Sequence, residues 1–411
     1  MIAQLVLGLG FGDEGKGTIV DWLARQAATP PLVVRWNGGP QAAHHVVTDD
    51  GRVHCFAQLG SASFVDGART HLGPEMAVDP YALVVEAAAI AKAGVSAALS
   101  RLTIDPRAVL VTPWHALVNQ VRELLRGDGR HGSTGRGVCE AKLGATRITA
   151  GEIDREFRDA LDRVRGELVA STHDLIDEHP DPPPATRELL TRASDRELFD
   201  AFYDAARAID PATITPSLPP AEHVILESAQ GALLDRDHGF FPYVTPSWVT
   251  RYAAAIAARE FGIFKFETWG VLRAFHTRHG PGPFPSEDAE LTRRLPEPHN
   301  PPGAAGAFRV GWFDGVLARL TLGFAGPVDR LAVTQLDRVP LDAPVFAVEA
   351  WNEDVTDLAL IPAAKRTELA ATARPVLRAI DGDYVEAIEA LVGRRVDLES
   401  RGMAARDKRP R

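Results

Sequence analysis

Asp13, Glu14 and Lys16 stand among glycines in the run Gly10-Phe11-Gly12-Asp13-Glu14-Gly15-Lys16-Gly17-Thr18. The run fits two templates, since Gly10, Gly12 and Gly15 satisfy G-x-G-x-x-G while Gly10, Gly15 and Lys16 satisfy G-x-x-x-x-G-K. A dinucleotide site needs an acidic residue at the end of the next strand to hold a ribose hydroxyl, and that strand ends Arg35-Trp36-Asn37-Gly38-Gly39. The phosphate reading gives each residue a task. Glycines let backbone N–H groups approach phosphate oxygens, a helix starting near Lys16 presents its positive end, and Lys16 adds a point charge. Gly17 stands where a P-loop carries its Mg2+-binding Ser or Thr, so either Thr18 or Asp13 must take that role. A carboxylate inside a phosphate cradle is repulsive unless it meets a metal ion or moves a proton, and Asp13 is the candidate for both.

The elements that must position this loop are legible from periodicity. Residues 4–9 form an apolar run, residues 18–27 carry Ile19, Val20, Trp22 and Leu23 at helical spacing, and residues 32–36 form a second apolar run. Strand, glycine loop, helix and strand make a βαβ unit, whose crossover requires parallel strands. Further strands are predicted at 102–104, 224–227, 265–272 and 331–336, with alanine-rich helices at 81–92 and 248–259. The expected fold is α/β, a mostly parallel central sheet flanked by helices. It is expected as one large domain over 1–411, with surface excursions near 171–190 and 281–306, where prolines and glycines gather. The polar tail at 407–411 is expected to fray.

With 411 residues, 45% hydrophobic and 24% charged, the chain can bury a large core. A net charge of -10 argues against a nucleic-acid partner, and no apolar run reaches the roughly 18 residues of a membrane span. Two cysteines, Cys55 and Cys139, are too few for a disulfide framework and are expected to be buried spectators. The N-terminal residues run into the glycine loop without a basic leader, so a soluble cytoplasmic protein is expected.

Other motifs follow in order. Gly12 to Gly17 is succeeded by Val34-Arg35-Trp36-Asn37-Gly38-Gly39 and His44, then by Gly132-Ser133-Thr134-Gly135-Arg136-Gly137. Glu227-Ser228-Ala229-Gln230-Gly231, Pro242-Tyr243-Val244-Thr245, Gly282-Pro283-Phe284-Pro285 and Gly311-Trp312-Phe313-Asp314 complete the series. Nearly the whole chain resembles the adenylosuccinate synthetase family, with its P-loop-like, GTPase-related fold. The resemblance implies a ligase that moves the γ-phosphoryl group of GTP to O6 of a 6-oxopurine nucleotide, IMP by default. An amine, L-aspartate by default, then displaces phosphate at C6. Phosphorylation is what makes that amide-like oxygen a leaving group.

By this resemblance Asp13 is the base at purine N1, His44 an acid toward phosphate oxygens and Lys16 a stabiliser of the transferred group. Gly12, Glu14, Gly15, Lys16, Gly17, Gln335, Asp337, Ser400 and Gly402 are the expected contacts to the triphosphate. Asp13, Asn37, Ser133, Thr134, Gln230 and Thr245 are those to the acceptor nucleotide. Mg2+ is expected on Asp13 and the backbone carbonyl of Ala43. A homodimer is implied, with GTP or ATP, a purine monophosphate and an amino acid as small-molecule partners.

The chain also departs from the family. The family's arginine-rich run before Gly311 is here Asn300-Pro301-Pro302-Gly303-Ala304-Ala305-Gly306-Ala307-Phe308-Arg309, leaving Arg309 as the one retained arginine. Losing a guanidinium clamp on a dicarboxylate removes charged hydrogen bonds worth ~1.5–3 kcal/mol each. Arg278, Arg293, Arg294 and His299 are the candidates to compensate. Gln335 replaces the lysine of the family's guanine-reading Thr-Lys-Leu-Asp. These drifts open a paralogue reading with a GMP or dGMP acceptor, ATP as phosphoryl donor or a non-aspartate amine. A non-catalytic nucleotide-binding protein is the remaining alternative.

Overall fold

The computed structural model describes residues 2–297, 306–339, 344–352, 355–359 and 361–411. Among these, nine strands form the central sheet. Their spatial order is Lys408–Pro410, Leu398–Ser400, Arg330–Thr334, Glu267–Arg273, Ile2–Gly8, His223–Glu227, Leu32–Arg35, Arg69–Leu72 and Leu102–Ile104. Every neighbouring pair is parallel except the first, which is antiparallel.

The central strands read as unbroken apolar runs because both faces are covered. In Ile2–Gly8, Leu5 and Leu7 enter one core, while Val6 points the other way and packs with Ile19, Val20 and Leu23 of the helix Lys16–Gln26. Val33 and Val34, Ile225 and Leu226, and Val271 and Leu272 divide between the same two cores. A further core gathers Trp114, Phe157, Phe199 and Phe202 from the helices Pro113–Leu125, Phe157–Asp177 and Arg196–Arg207.

The helices expected at 81–92 and 248–259 appear as Pro80–Lys92, capped by Asp79, and Arg251–Glu260, capped by Thr250. Within 171–190 the chain is mostly helical, with a short Pro-rich connection between Phe157–Asp177 and Pro184–Ala193. Two expectations are corrected. The 407–411 tail does not fray, because Lys408–Pro410 pairs antiparallel with Leu398–Ser400 at the sheet edge. Cys55 and Cys139 are exposed, since the pattern around each leaves its side chain on the outward side of its element.

Lys408 anchors that edge strand from inside. Its buried ammonium donates to the Gly402 carbonyl at 3.1 Å and the Ala404 carbonyl at 3.0 Å. Burial pushes its pKa down to about 8 from the ordinary 10.5. Between those values the unfolded chain holds a proton that the folded chain has released, so stability rises with pH across that window. Denaturant titrations of wild type and Lys408→Met at about pH 7.5 and about pH 9.5 are expected to show the wild type gaining on the variant at the higher pH. A constant difference would show that the ammonium group is not desolvated.

Candidate functional site

Strand Ile2–Gly8 delivers the chain into the glycine loop and helix Lys16–Gln26 carries it away. Gly12, Asp13 and Gly15 have φ of 95°, 59° and 82°, the left-handed region open to glycine and tolerated by aspartate. The loop is braced by its own carboxylate. Glu14 Oε1 accepts from the Gly10 and Gly12 amides at 2.8 Å each, and Glu14 Oε2 takes the Lys16 ammonium at 2.6 Å. Both side chains are 2% exposed, which makes Glu14 a strut beneath the loop rather than part of the cavity wall.

Gly231 closes that strut from the other side. A Cβ there would lie 2.2 Å from Glu14 Oε1 and 2.2 Å from the Gly10 carbonyl oxygen. Gly231→Ala must therefore shift the loop, at a cost of about 1–3 kcal/mol. Titration calorimetry with a non-hydrolysable triphosphate is expected to show about 10- to 100-fold weaker binding. Unchanged affinity would mean the loop moves without consequence for its ligand.

His44 begins the strand His44–Val47 and lies across the start of the loop helix. A Cβ on Gly17 would come within 2.8 Å of the His44 Cβ, so glycine replaces the P-loop hydroxyl residue to let this strand pass. The Thr18 hydroxyl donates to the Gly15 carbonyl at 3.0 Å, while the Asp13 carboxylate faces the cavity. His44 Nδ1 lies 2.5 Å from Glu227 Oε1, and Glu227 Oε2 accepts from the Ser61 amide at 3.0 Å. Burial would raise the Glu227 carboxyl, but Arg35, His44 and Ser61 outweigh it and hold it at about 2. An anionic Glu227 keeps the proton on Nδ1, leaving Nε2 as the atom available to a ligand. Burial, assisted by Arg35 and Lys16, lowers the His44 pKa against the pull of Glu227.

Asp13 and His44 both line one cavity of about 1170 Å³. The expected triphosphate contacts Gly12, Gly15, Lys16, Gly17, Gln335, Asp337, Ser400 and Gly402 line it, as do Ala43 and the expected acceptor contacts Ser133, Thr134, Gln230 and Thr245. Long-range bonds bring these segments together. Thr334 Oγ1 donates to the Glu14 carbonyl at 2.6 Å, which ties the Gln335 turn to the loop. Glu123 accepts from the Gly132 and Ser133 amides at 2.9 and 3.2 Å. Gln230 holds a φ of 61°, and its buried Oε1 has no partner.

Asn37 is placed differently from expectation. Its amide donates to the Trp248 carbonyl at 2.9 Å and accepts from the Ala229 amide at 2.8 Å, so it positions the Gln230 turn from outside the cavity. Gln41, which the sequence reading passed over, lines the cavity with an unpartnered buried Oε1. It stands two residues after the Gly38-Gly39 pair, a signal that proximity to the motif could have supplied. His279 was also missed. Its Nε2 stands 3.0 Å from Asp13 Oδ2. Burial would raise the Asp13 carboxyl, yet His279, Arg273 and Lys16 together hold it below the usual range.

Arg309 does not reach the cavity. It binds Glu287 at 2.7 Å and the Gly280 and Gly282 carbonyls at 2.7 and 2.9 Å, which commits it to bracing the strand Phe308–Gly311. Arg293 and Arg294 sit on the helix Ala289–Arg294 outside the cavity wall. Arg278 lines the cavity but donates to the Pro281 and Pro283 carbonyls. His299 and Asn300 to Ala305 lie outside the described residues.

A parallel α/β sheet with a phosphate-type loop at the carboxyl end of its first strand, and an acid and a histidine facing one cavity, defines a nucleotide-dependent group-transfer protein. The comparisons give the class a family. The adenylosuccinate synthetase family profile matches residues 5–408. An adenylosuccinate synthetase of Pseudomonas paraeruginosa (strain DSM 24068 / PA7) is 30% identical, with 97% of this chain and 96% of that one covered. One from Synechococcus sp. (strain RCC307) is 34% identical over 82% of this chain and 76% of that one. The chain belongs to the adenylosuccinate synthetase family, and it is a C–N ligase.

Solved structures agree on the fold. Fully ligated adenylosuccinate synthetase from Plasmodium falciparum superposes with a TM-score of 0.78 at 20% identity, covering 99% of each chain. The succinoaminodeoxyadenylate synthetase of cyanophage S-2L, bound to dGMP and dATP as an energy donor, gives 0.59 at 16% identity, covering 100% of this chain and 95% of that one. No helix among the described residues is long and apolar enough to cross a membrane.

Proposed function

We propose that this protein couples GTP hydrolysis to the joining of L-aspartate to C6 of IMP through a 6-phosphoryl intermediate. The observation that carries the reading is the convergence of Asp13, Lys16 and His44 on one cavity that also holds the Ser133, Gln230 and Thr245 segments. Asp13, kept anionic by its neighbours, removes the N1 proton and turns O6 into the nucleophile for the γ-phosphorus. Lys16 meets the charge on the transferred group, and His44, whose Nε2 takes up a proton in the field of the incoming phosphates, donates from it to a phosphate oxygen. The amine then attacks C6, the C6–O bond breaks, and phosphate leaves with the oxygen.

The donor set fits Mg2+. One loop carboxylate, Asp13, and the Ala43 carbonyl offer hard oxygens on the cavity wall, and among the described residues no group of three or more His, Cys, Asp or Glu forms a cage. Such a sparse set suits an ion that takes its remaining oxygens from phosphates and water. When bound, Mg2+ would neutralise charge on the β- and γ-phosphates.

Phosphate release with Mg2+ tests the assignment, crossing GTP and ATP with IMP and GMP, each with and without L-aspartate. Turnover that needs GTP, IMP and aspartate together is the expected result. Turnover favouring ATP or GMP would move this chain toward the paralogue reading, for which Gln335 in place of the family lysine is the supporting feature. No release under any combination would leave a nucleotide-binding protein without catalysis.

A further inference from the structure

Two arginines that the motifs did not single out meet inside the cavity. Arg273 Nη2 and Arg338 Nη1 both donate to Glu297 Oε1, and Arg338 Nη2 also donates to the Pro296 carbonyl at 2.7 Å. Both guanidinium groups lie over the Phe275 ring, at 4.5 and 5.9 Å from its centroid, and both residues line the cavity. Two cations share one carboxylate oxygen of Glu297, and Asp13 is the other anion whose charge acts on Arg273. Arg273 is 5% exposed and its Nε has no partner. A buried guanidinium with an unmet donor is costly unless an anion completes it.

We propose, on the ligase reading above, that Arg273 and Arg338 form the carboxylate clamp for the amine donor, with Glu297 standing against them as a competing internal carboxylate. Position favours the donor over the triphosphate. Arg273 Nη1 donates to the Asp13 carbonyl at 3.2 Å, which sets the clamp beside the residue that works at purine N1. C6 is bonded to N1, so an amine attacking C6 arrives next to Asp13, whereas the phosphates meet the loop amides and Lys16. The clamp takes the place of the guanidinium groups that the run before Gly311 lacks. It recognises an amino acid carrying at least one free carboxylate.

The test compares kcat/KM for L-aspartate with kcat/KM for hydroxylamine, a nucleophile without a carboxylate, in wild type, Arg338→Gln and Glu297→Gln. The aspartate-to-hydroxylamine ratio is expected to fall at least about tenfold in Arg338→Gln, as loss of one charged hydrogen-bonding group implies. It is expected to rise in Glu297→Gln, where the competing charge is gone. An unchanged ratio, or a loss carried by the KM for the triphosphate, overturns the clamp. Wild type that turns over hydroxylamine but not aspartate overturns it too. If wild type uses neither nucleophile, the ligase reading fails separately, and calorimetric titration with succinate decides the clamp: binding weakened by Arg338→Gln upholds it, and no binding ends it.

Discussion

Asp13→Asn is expected to lower kcat by about 10³-fold while leaving the fold and most of the affinity for the triphosphate, because it removes the proton acceptor but keeps an amide oxygen where the metal would bind. Asparagine is the right replacement for a physical reason. Asp13 sits at a φ of 59°, which asparagine adopts readily and alanine does not, so the loop keeps its shape. The neighbouring His279 can still hydrogen-bond an amide oxygen. The measurement is single-turnover formation of GDP from GTP in the presence of IMP, beside calorimetric binding of a non-hydrolysable triphosphate. If kcat survives the substitution, Asp13 is not the base at N1. If binding collapses with it, the carboxylate serves chiefly to hold metal and phosphates.

Lys16→Met is expected to act on stability and on chemistry at once. The ammonium lies 2.6 Å from Glu14 Oε2 with both groups buried, so removing it leaves a carboxylate whose one strong cationic partner is gone. Breaking a buried pair from one side costs about 3–5 kcal/mol. Turnover should fall by about 10²- to 10³-fold as well, the scale of losing one preorganised charge at a transferring group. The double variant Glu14→Gln with Lys16→Met separates the two effects, because the uncompensated charge is then absent. Denaturant midpoints should recover much of the lost stability while turnover stays low. Additive destabilisation by the two single changes would show that the pair is not coupled.

The first βαβ unit was legible because strand and helix patterns are local: Leu5, Val6 and Leu7 sit near a glycine loop and the helical Ile19, Val20 and Leu23. The sheet edge was not. Lys408–Pro410 contains a lysine, an arginine and a proline, a composition that reads as solvated tail, and it becomes a strand through pairing with Leu398–Ser400 and burial of the Lys408 side chain. Site residues divide the same way. Asp13, Lys16, His44, Gln230 and Thr245 announce themselves through short motifs, and all line the cavity. Glu14 and Asn37 belong to the same motifs but turn their side chains inward to hold the loop and the Gln230 turn.

What sequence alone determined, then, is what spacing along the chain can encode: a parallel α/β fold, a phosphate-type loop and the identities of its acid, lysine and histidine. Tertiary structure decided which side chains share space. Arg273, Glu297 and Arg338 are separated by 24 and 41 residues along the chain, and no local pattern joins them. Nor does any pattern pair His279 with Asp13 or Glu227 with His44. Such contacts depend on the register of distant parallel strands, and that register is set by burial of both sheet faces together rather than by any one segment.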